Sequence, residues 1–371
     1  MTFQVRELST SDPAALTSFI GLERQLIGAS PLFVSDIDAD VLQSLSGRSK
    51  FYSDMEHTMF LAVKDGQAVA RCTALINRRF QQAKGQALGF VGHFAAAPDS
   101  GDVVLGMIER AEAWLGQRGV TRVVAPFNGA AMLGSGILTT AFDEEPVFPF
   151  RWNPPYYAGY LTEAGYAPTY PLWYYTVDFS SDRYRDVERR VAGNTRVRVR
   201  PINKKQWNQE LDTIRGLFNE SFKEEWEFAP LTSDEFHEFL DAMKPMLDPR
   251  QMLIGDVKGE PAGFCFGFPD WTPLFRSFHG KMGIAQIIRF MLGAKRYRRA
   301  GLIAIGVRPE AAGSGLAHAL AVALYRRYQE HGLTEALYYP VNEVNTRSRK
   351  FAESLGGTGR VLYHCYDRRL G

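Results

Sequence analysis

The sequence predicts an α/β protein with mixed α+β sheets, made of two tandem units of one kind, and three observations carry that prediction. The first is an internal repeat. Phe60-Leu-Ala-Val-Lys-Asp-Gly66-Gln-Ala-Val-Ala-Arg-Cys72 is echoed by Leu253-Ile-Gly-Asp-Val-Lys-Gly259-Glu-Pro-Ala-Gly-Phe-Cys265. Arg118-Gly119-Val-Thr121 is echoed by His331-Gly332-Leu-Thr334, and Pro126-Phe-Asn128 by Pro340-Val-Asn342. The second is that strand-like and helix-like runs follow the same order in both copies. The third is the run from Leu302 to Tyr328, which reads as strand, glycine loop and helix.

Taken in order, residues 2 to 8 alternate like a strand, and 11 to 27 read as a helix with Ser11 or Asp12 at its cap. A second helix covers part of 36 to 47. Thr58 to Val63, a turn at Lys64-Asp65-Gly66, and Ala68 to Asn77 form a hairpin. Gln86 to Ala95 is an apolar strand, Asp102 to Arg118 an amphipathic helix, and Val120 to Ala125 a strand. The Gly- and Phe-rich loop between Asn128 and Asn153 is too apolar for a disordered segment and reads as a substrate-facing wall or as interface packing. Asn153-Pro-Pro-Tyr156-Tyr157 then opens a helix running to Gly165-Tyr166. The join falls near Asp178 to Asn194, read as a charged, turn-rich segment, so the expected domains are 1–180 and 195–371.

The two copies differ where chemistry is expected. In the second, Val307-Arg-Pro-Glu-Ala-Ala-Gly313-Ser-Gly315 separates strand from helix, and only glycine lets a pyrophosphate approach such a backbone closely. The amides of the turn and the positive end of the helix dipole converge on one point. The first copy has Ala97-Pro-Asp-Ser-Gly101-Asp102 there, an acidic turn with one glycine, so a degenerate first unit is expected.

Ala312-Gly313-Ser314-Gly315-Leu316-Ala317 resembles motif A of the GNAT acyltransferases, Q/R-x-x-G-x-G/A, with Ala312 at the position usually held by Gln or Arg. Asn345-Thr-Arg-Ser348-Arg-Lys-Phe351-Ala352-Glu353-Ser-Leu355-Gly356 resembles motif B of the same family, with Ala352 where the family often has a proton-donating Tyr. The repeat extends this resemblance to a tandem GNAT-like protein, akin at fold level to N-myristoyltransferase. What it implies is acyl-CoA as co-substrate and transfer of its acyl group to an amine. It places the CoA against Ile305 and Val307 of the strand, against the loop and helix start Ala312, Gly313, Ser314, Gly315, Leu316, Ala317 and His318, and against Asn342, Asn345 and Ser348.

Such transfer needs the thioester carbonyl polarised by a backbone donor from the strand before the loop, and a group that removes a proton from the amine. Tyr338 and Tyr339 are candidates to replace the absent motif-B Tyr, with Tyr363, Tyr366 and, in the first unit, His93 as further candidates. Glu227, with Glu224 and Glu225, follows the first helix of the second unit, where related enzymes put substrate-binding residues. Seven scattered histidines and three distant cysteines exclude a metal constellation or a disulfide framework.

The second copy is also longer: Gly66 to Gly119 spans 53 positions and Gly259 to Gly332 spans 73. The excess lies at about 268 to 300, where seven basic residues and, after Asp270, no acidic one accompany Ile284, Ile287, Ile288, Met291 and Leu292 at helical spacing. This is the pattern of a basic amphipathic interfacial helix, and a lid buried on the domain or a cover over a long acyl chain fits it too. Three widely spaced cysteines, and the absence of a signal peptide or an 18-residue apolar run, fit a cytoplasmic protein whose membrane contact, if any, is peripheral on the inner face. The aliphatic interleaving of the basic residues argues against nucleic acid.

The reading is a CoA-dependent N-acyltransferase of a long-chain or lipidic amine. Some bacterial GNAT-like proteins acylate sphingoid bases to ceramides. Two alternatives remain: a non-catalytic acyl-CoA or lipid-binding protein, and an acetyltransferase of a small amine or peptide.

Overall fold

The computed structural model describes residues 3–241, 243–244 and 247–371, so residue 2 of the first expected strand lies outside the described residues. The chain begins Phe3–Leu8 (β1), Pro13–Ile27 (α1), Asp38–Leu45 (α2), Met55–Lys64 (β2), Gln67–Asn77 (β3) and Arg78–Lys84 (α3). It continues Leu88–Ala96 (β4), Gly101–Gly116 (α4), Arg122–Ala125 (β5), Ile137–Leu138 (β6), Tyr156–Glu163 (α5) and Ala167–Asp178 (β7). Then come Asp182–Ala192 (α6), Val197–Pro201 (β8), Trp207–Phe222 (α7), Ser233–Asp241 (α8), Met252–Val257 (β9) and Glu260–Pro269 (β10). Thr272–Arg276 (α9), Ile284–Gly293 (α10), Ala300–Val307 (β11), Leu316–Gln329 (α11), Glu335–Asn342 (β12), Thr346–Ser354 (α12) and Thr358–Arg369 (β13) complete it.

Two compact units result, and their limits interleave. The first runs to Pro171 and includes Trp271–Phe290 and Leu362–Gly371; the second comprises Leu172–Asp270 and Met291–Val361. The end of β7 belongs with the second unit, where Asp178–Leu172 pairs with Glu335–Asn342 of β12, while Tyr366–Arg369 of β13 pairs with Ala125–Arg122 of β5 in the first.

In the first unit the strand order is β1-β2-β3-β4-β5-β13, antiparallel except for β4 and β5. The central strands read as near-continuous apolar runs because helices cover both faces. Val103, Val104, Met107, Ile108, Ala111 and Leu115 of α4 pack on one, and α1 buries Leu16, Phe19 and Leu22. Asp12 caps α1, its carboxylate accepting from Ala14 N at 2.9 Å, with Pro13 following as the first helical residue.

In the second unit the order is β7-β12-β11-β10-β9-β8, with β11 and β12 the parallel pair. α11 contributes Leu316, Leu320, Leu324, Tyr325 and Tyr328 to the core. The segment at 178–194, read from sequence as turns, is largely the helix α6, with Ser181 as its cap. Its large apolar residues, Tyr184, Val187 and Val191, sit among seven charged ones, which hid a stripe spaced i, i+3, i+7. Tyr184 packs against Phe179 and Tyr325, at 5.1 and 6.2 Å between ring centres.

The inserted segment is tied into the first unit. Phe148 stacks on Phe275 at 5.0 Å, its amide donates to Thr272 Oγ1 at 2.9 Å, and Arg276 pairs with Glu145. The three cysteines are buried, and none forms a disulfide among the described residues. Among the described residues no helix is long and apolar enough to cross a membrane, and no group of three or more His, Cys, Asp or Glu side chains could hold a metal ion.

Candidate active site

In the second unit β11 passes through a short turn, Pro309–Ala311, into the glycine loop and α11. Gly313 and Gly315 have φ of 75° and 85°, a region an L side chain enters at a cost of about 1–2 kcal/mol. Gly315 is the N-cap of α11, so the amides that follow it lack partners within the helix. Leu316 N donates to Ser314 Oγ at 3.2 Å. The amides of Gly315, Ala317 and His318 stand at the positive end of the helix, an arrangement suited to a phosphate.

Leu316 itself is a peg. It is buried, and a Cβ at Gly255 would lie 2.5 Å from its Cδ1, so the bare strand surface of β9 seats it. Asn194, which the sequence reading missed, holds the loop from outside: its Nδ2 donates to Ser314 O at 2.8 Å. His318 joins α11 to α12, with Nε2 2.8 Å from Ser354 Oγ and its ring 5.1 Å from that of Phe351. Burial, and then the neighbouring Arg190, lower its pKa and favour the neutral imidazole.

β11 and β12 pair only at Gly301↔Leu337 and Leu302↔Tyr338. β11 runs on to Val307 with its other edge bonded to β10, while β12 follows β7 through a bulge between Tyr338 and Val341. Beyond Leu302 the facing edges part, and Ile303 to Val307 turn backbone groups into the gap. The acetyltransferase (GNAT) family model matches residues 211–357, from α7 through this loop and gap to the end of α12. Residues 211–357 are a GNAT domain.

The GNAT family uses acyl-CoA as co-substrate, and the match to this acyltransferase family lies in that domain. Over 370 residues it is 26% identical to a bacterial ceramide synthase of Caulobacter vibrioides (strain NA1000 / CB15N), covering 96% of each chain. Over 364 residues it is 24% identical to protein YghO of Escherichia coli (strain K12), covering 96% of this chain and 93% of that one. A tandem GNAT protein from the clavulanic acid biosynthesis pathway matches with a TM-score of 0.57 at 11% identity, over 100% of this chain and 99% of the other. A GCN5-related N-acetyltransferase from Sphaerobacter thermophilus matches with 0.51 at 15%, over 100% and 96%. These two share the tandem-unit or GNAT fold with this chain.

The first unit shows the GNAT gap closed from within. β4 and β5 pair at Leu88–Phe90 with Arg122–Val124. Beyond that, Phe127 N donates to Val91 O at 3.0 Å, and Asn128 bridges, accepting from His93 N at 2.8 Å and donating to Leu133 O at 2.8 Å. Tyrosines of α5 occupy the loop where motif A belongs. Ser100 N donates to Tyr160 OH at 3.0 Å, Tyr160 OH to Ala97 O at 2.9 Å, and Ala96 N to Tyr157 OH at 3.1 Å. Backbone groups that could meet a phosphate are thus used internally.

Back in the GNAT domain, Ile305 and Val307 pack partly buried against the core, which leaves their backbones for the gap. Ala312 and Gly313 are exposed, while Ser314, Gly315, Ala317 and His318 are half-buried. Asn345 caps α12, its Oδ1 accepting from Ser348 N at 2.9 Å, and its Nδ2 donates to Glu225 Oε1 at 2.6 Å. Ser348 Oγ pairs with Tyr338 OH. Burial pushes the Tyr338 hydroxyl above the usual phenol range, with the Ser348 bond opposing. Tyr338, Ser348, Asn345 and Glu225 are therefore one connected set. Glu227 is half-buried and Glu224 exposed on the same segment.

Tyr339 turns the other way, stacking on Tyr174 at 4.9 Å and filling the space over Gly301, where a Cβ would lie 2.2 Å from its Cε1. Asn342 is buried; its Oδ1 accepts from Val344 N at 3.2 Å, and its Nδ2 has no partner among the described residues, whereas its repeat counterpart Asn128 uses both ends. Tyr363 and Tyr366 belong to the first unit, where Tyr363 OH donates to Arg151 O at 3.1 Å. His93 is there too.

Proposed function

We propose that the second unit transfers the acyl group of a long-chain acyl-CoA to the amine of a lipidic acceptor such as a sphingoid base. The observation that carries acyl transfer is the gap between β11 and β12, opening beside the glycine loop. Pyrophosphate would rest on the amides of Gly315, Ala317 and His318, pantetheine would follow the gap, and a backbone N–H of Ile303 to Val307 would polarise the thioester carbonyl. The neutral amine attacks the thioester carbon, the C–N bond forms as the C–S bond breaks, and sulfur leaves as thiolate. Glu225 takes the proton from nitrogen. Tyr338, kept protonated by burial and bonded to Ser348, returns one to sulfur in place of the tyrosine that Ala352 lacks. The lipidic acceptor is supported by the likeness to a bacterial ceramide synthase across 96% of both chains. It would suit a peripheral position on the inner face of a membrane.

The test is palmitoyl-CoA with sphinganine and the purified chain, reading released CoA thiol and the N-acyl product by mass spectrometry. Product that disappears in Glu225→Gln supports the reading, whereas turnover of acetyl-CoA on small amines with none on sphinganine overturns the acceptor. The buried Ala352 favours a second reading, an acyl-CoA binder without turnover. Saturable palmitoyl-CoA binding with no thiol release under any acceptor would establish that instead.

A further inference from the structure

We infer that α10 and the basic run after it dock on an anionic lipid bilayer. Phe290 is the one buried residue of α10, fixed against Trp271 and Phe275 at 5.1 and 5.9 Å between ring centres. The aliphatic residues at i, i+3, i+4, i+7 and i+8 are exposed: Ile284 by 80%, Ile287 by 47%, Ile288 by 53%, Met291 by 64% and Leu292 by 73%. They form one helix face that the fold does not cover, of the kind soluble surfaces rarely carry.

The charges decide the occupant. Of the seven basic residues in this segment, Arg276 is paired with Glu145 and Arg299 with Asp270. The other five, Lys281, Arg289, Lys295, Arg296 and Arg298, are exposed, and their side chains make no hydrogen bond or ion pair among the described residues. No acidic residue lies between Asp270 and Glu310 to oppose them. An aliphatic face flanked by unpaired cations matches an anionic headgroup layer over hydrocarbon. A second copy fits worse, because a twofold contact through this face would bring like charges together. In naming a bilayer as the source of a lipidic acceptor the inference rests on the proposed function, but docking itself is read without any substrate.

The experiment is co-sedimentation of the full chain with vesicles of phosphatidylcholine alone or with about one third phosphatidylglycerol. Binding to the anionic vesicles is expected, with little to the neutral ones. Raising salt from 0.1 to 0.5 M shortens the screening length from about 10 Å to about 4 Å and should weaken it. Ile288→Asp with Leu292→Asp should abolish it at all salt concentrations. Lys295→Gln with Arg296→Gln should lower the partition coefficient by on the order of twenty-five-fold, about fivefold per charge. All four positions are exposed, and an unchanged near-ultraviolet circular dichroism spectrum would show the variants folded. No binding to anionic vesicles at low salt, or binding indifferent to both pairs of substitutions, overturns the inference. So does a concentration-dependent dimer that Ile288→Asp dissolves while vesicles are ignored. Acyl transfer to a soluble short-chain base, measured without vesicles, reports on the proposed function separately.

Discussion

Gly313→Ala and Gly315→Ala form a matched pair that tests the loop. Both glycines have positive φ, 75° and 85°, so an added methyl meets the same backbone penalty, about 1–2 kcal/mol. Their surroundings differ. A Cβ at Gly313 has open space, whereas one at Gly315 would lie 2.7 Å from Asn194 Nδ2, the group that donates to Ser314 O. Gly313→Ala should thus lower the melting temperature by about 2–8 °C, at about 2–4 °C per kcal/mol for a unit of this size. Gly315→Ala should lower it further, by the roughly 1 kcal/mol of a displaced hydrogen bond. Adding Asn194→Ala should cost little more on top of Gly315→Ala, because the contact is already lost. Calorimetric titration with CoA then reads function: Gly315→Ala tilts the first amides of α11 and should weaken binding by on the order of tenfold or more, about 1.4 kcal/mol. Wild-type CoA affinity in a folded Gly315→Ala protein would refute the assignment of this loop as the pyrophosphate cradle.

Other outcomes follow from the same geometry. Tyr338→Phe keeps the ring and removes the hydroxyl from Ser348, so kcat should fall by about 10²–10⁴ with CoA affinity nearly unchanged; an unaltered kcat would reduce Tyr338 to a core residue. Leu316→Ala empties the seat over Gly255 and should destabilise the second unit by about 2–5 kcal/mol in urea unfolding, against less than about 1.5 for Leu316→Met. His93, whose Nδ1 lies 3.2 Å from Thr73 Oγ1, has its pKa held well below the usual histidine value by burial and then by Arg71 and Arg151. The unfolded chain therefore binds this proton at higher pH than the folded one, and stability should fall as pH drops below about 6.5. His93→Gln should flatten that slope between pH 5 and 6.5, and an equally steep melting profile would exclude His93 as its source.

What could be read from sequence was local. Gly313, Gly315 and Asn345 work through backbone conformation and capping within a few residues, so their spacing announces them. The repeat likewise showed through, since Pro126-Phe-Asn128 and Pro340-Val-Asn342 occupy matching strand ends. What stayed hidden depends on partners distant in the chain. Tyr160 reaches Ser100 across 60 residues, Glu225 reaches Asn345 across 120, and Asn194 reaches Ser314 across 120. Composition could count the basic residues at 268–300 but could not tell that Arg276 and Arg299 have acidic partners while five others do not.

The pairing of Tyr366–Arg369 with β5 fixes an order of events during synthesis. Residues 3–171 emerge from the ribosome first, yet the strand that completes their sheet edge is translated some two hundred residues later. Until it arrives, β5 carries an unpaired edge, the sort of template on which nascent chains join wrongly. The first unit, though it leads in the gene, closes last. A chain truncated before Tyr366 lacks the partner of β5 and leaves that edge of the first sheet open.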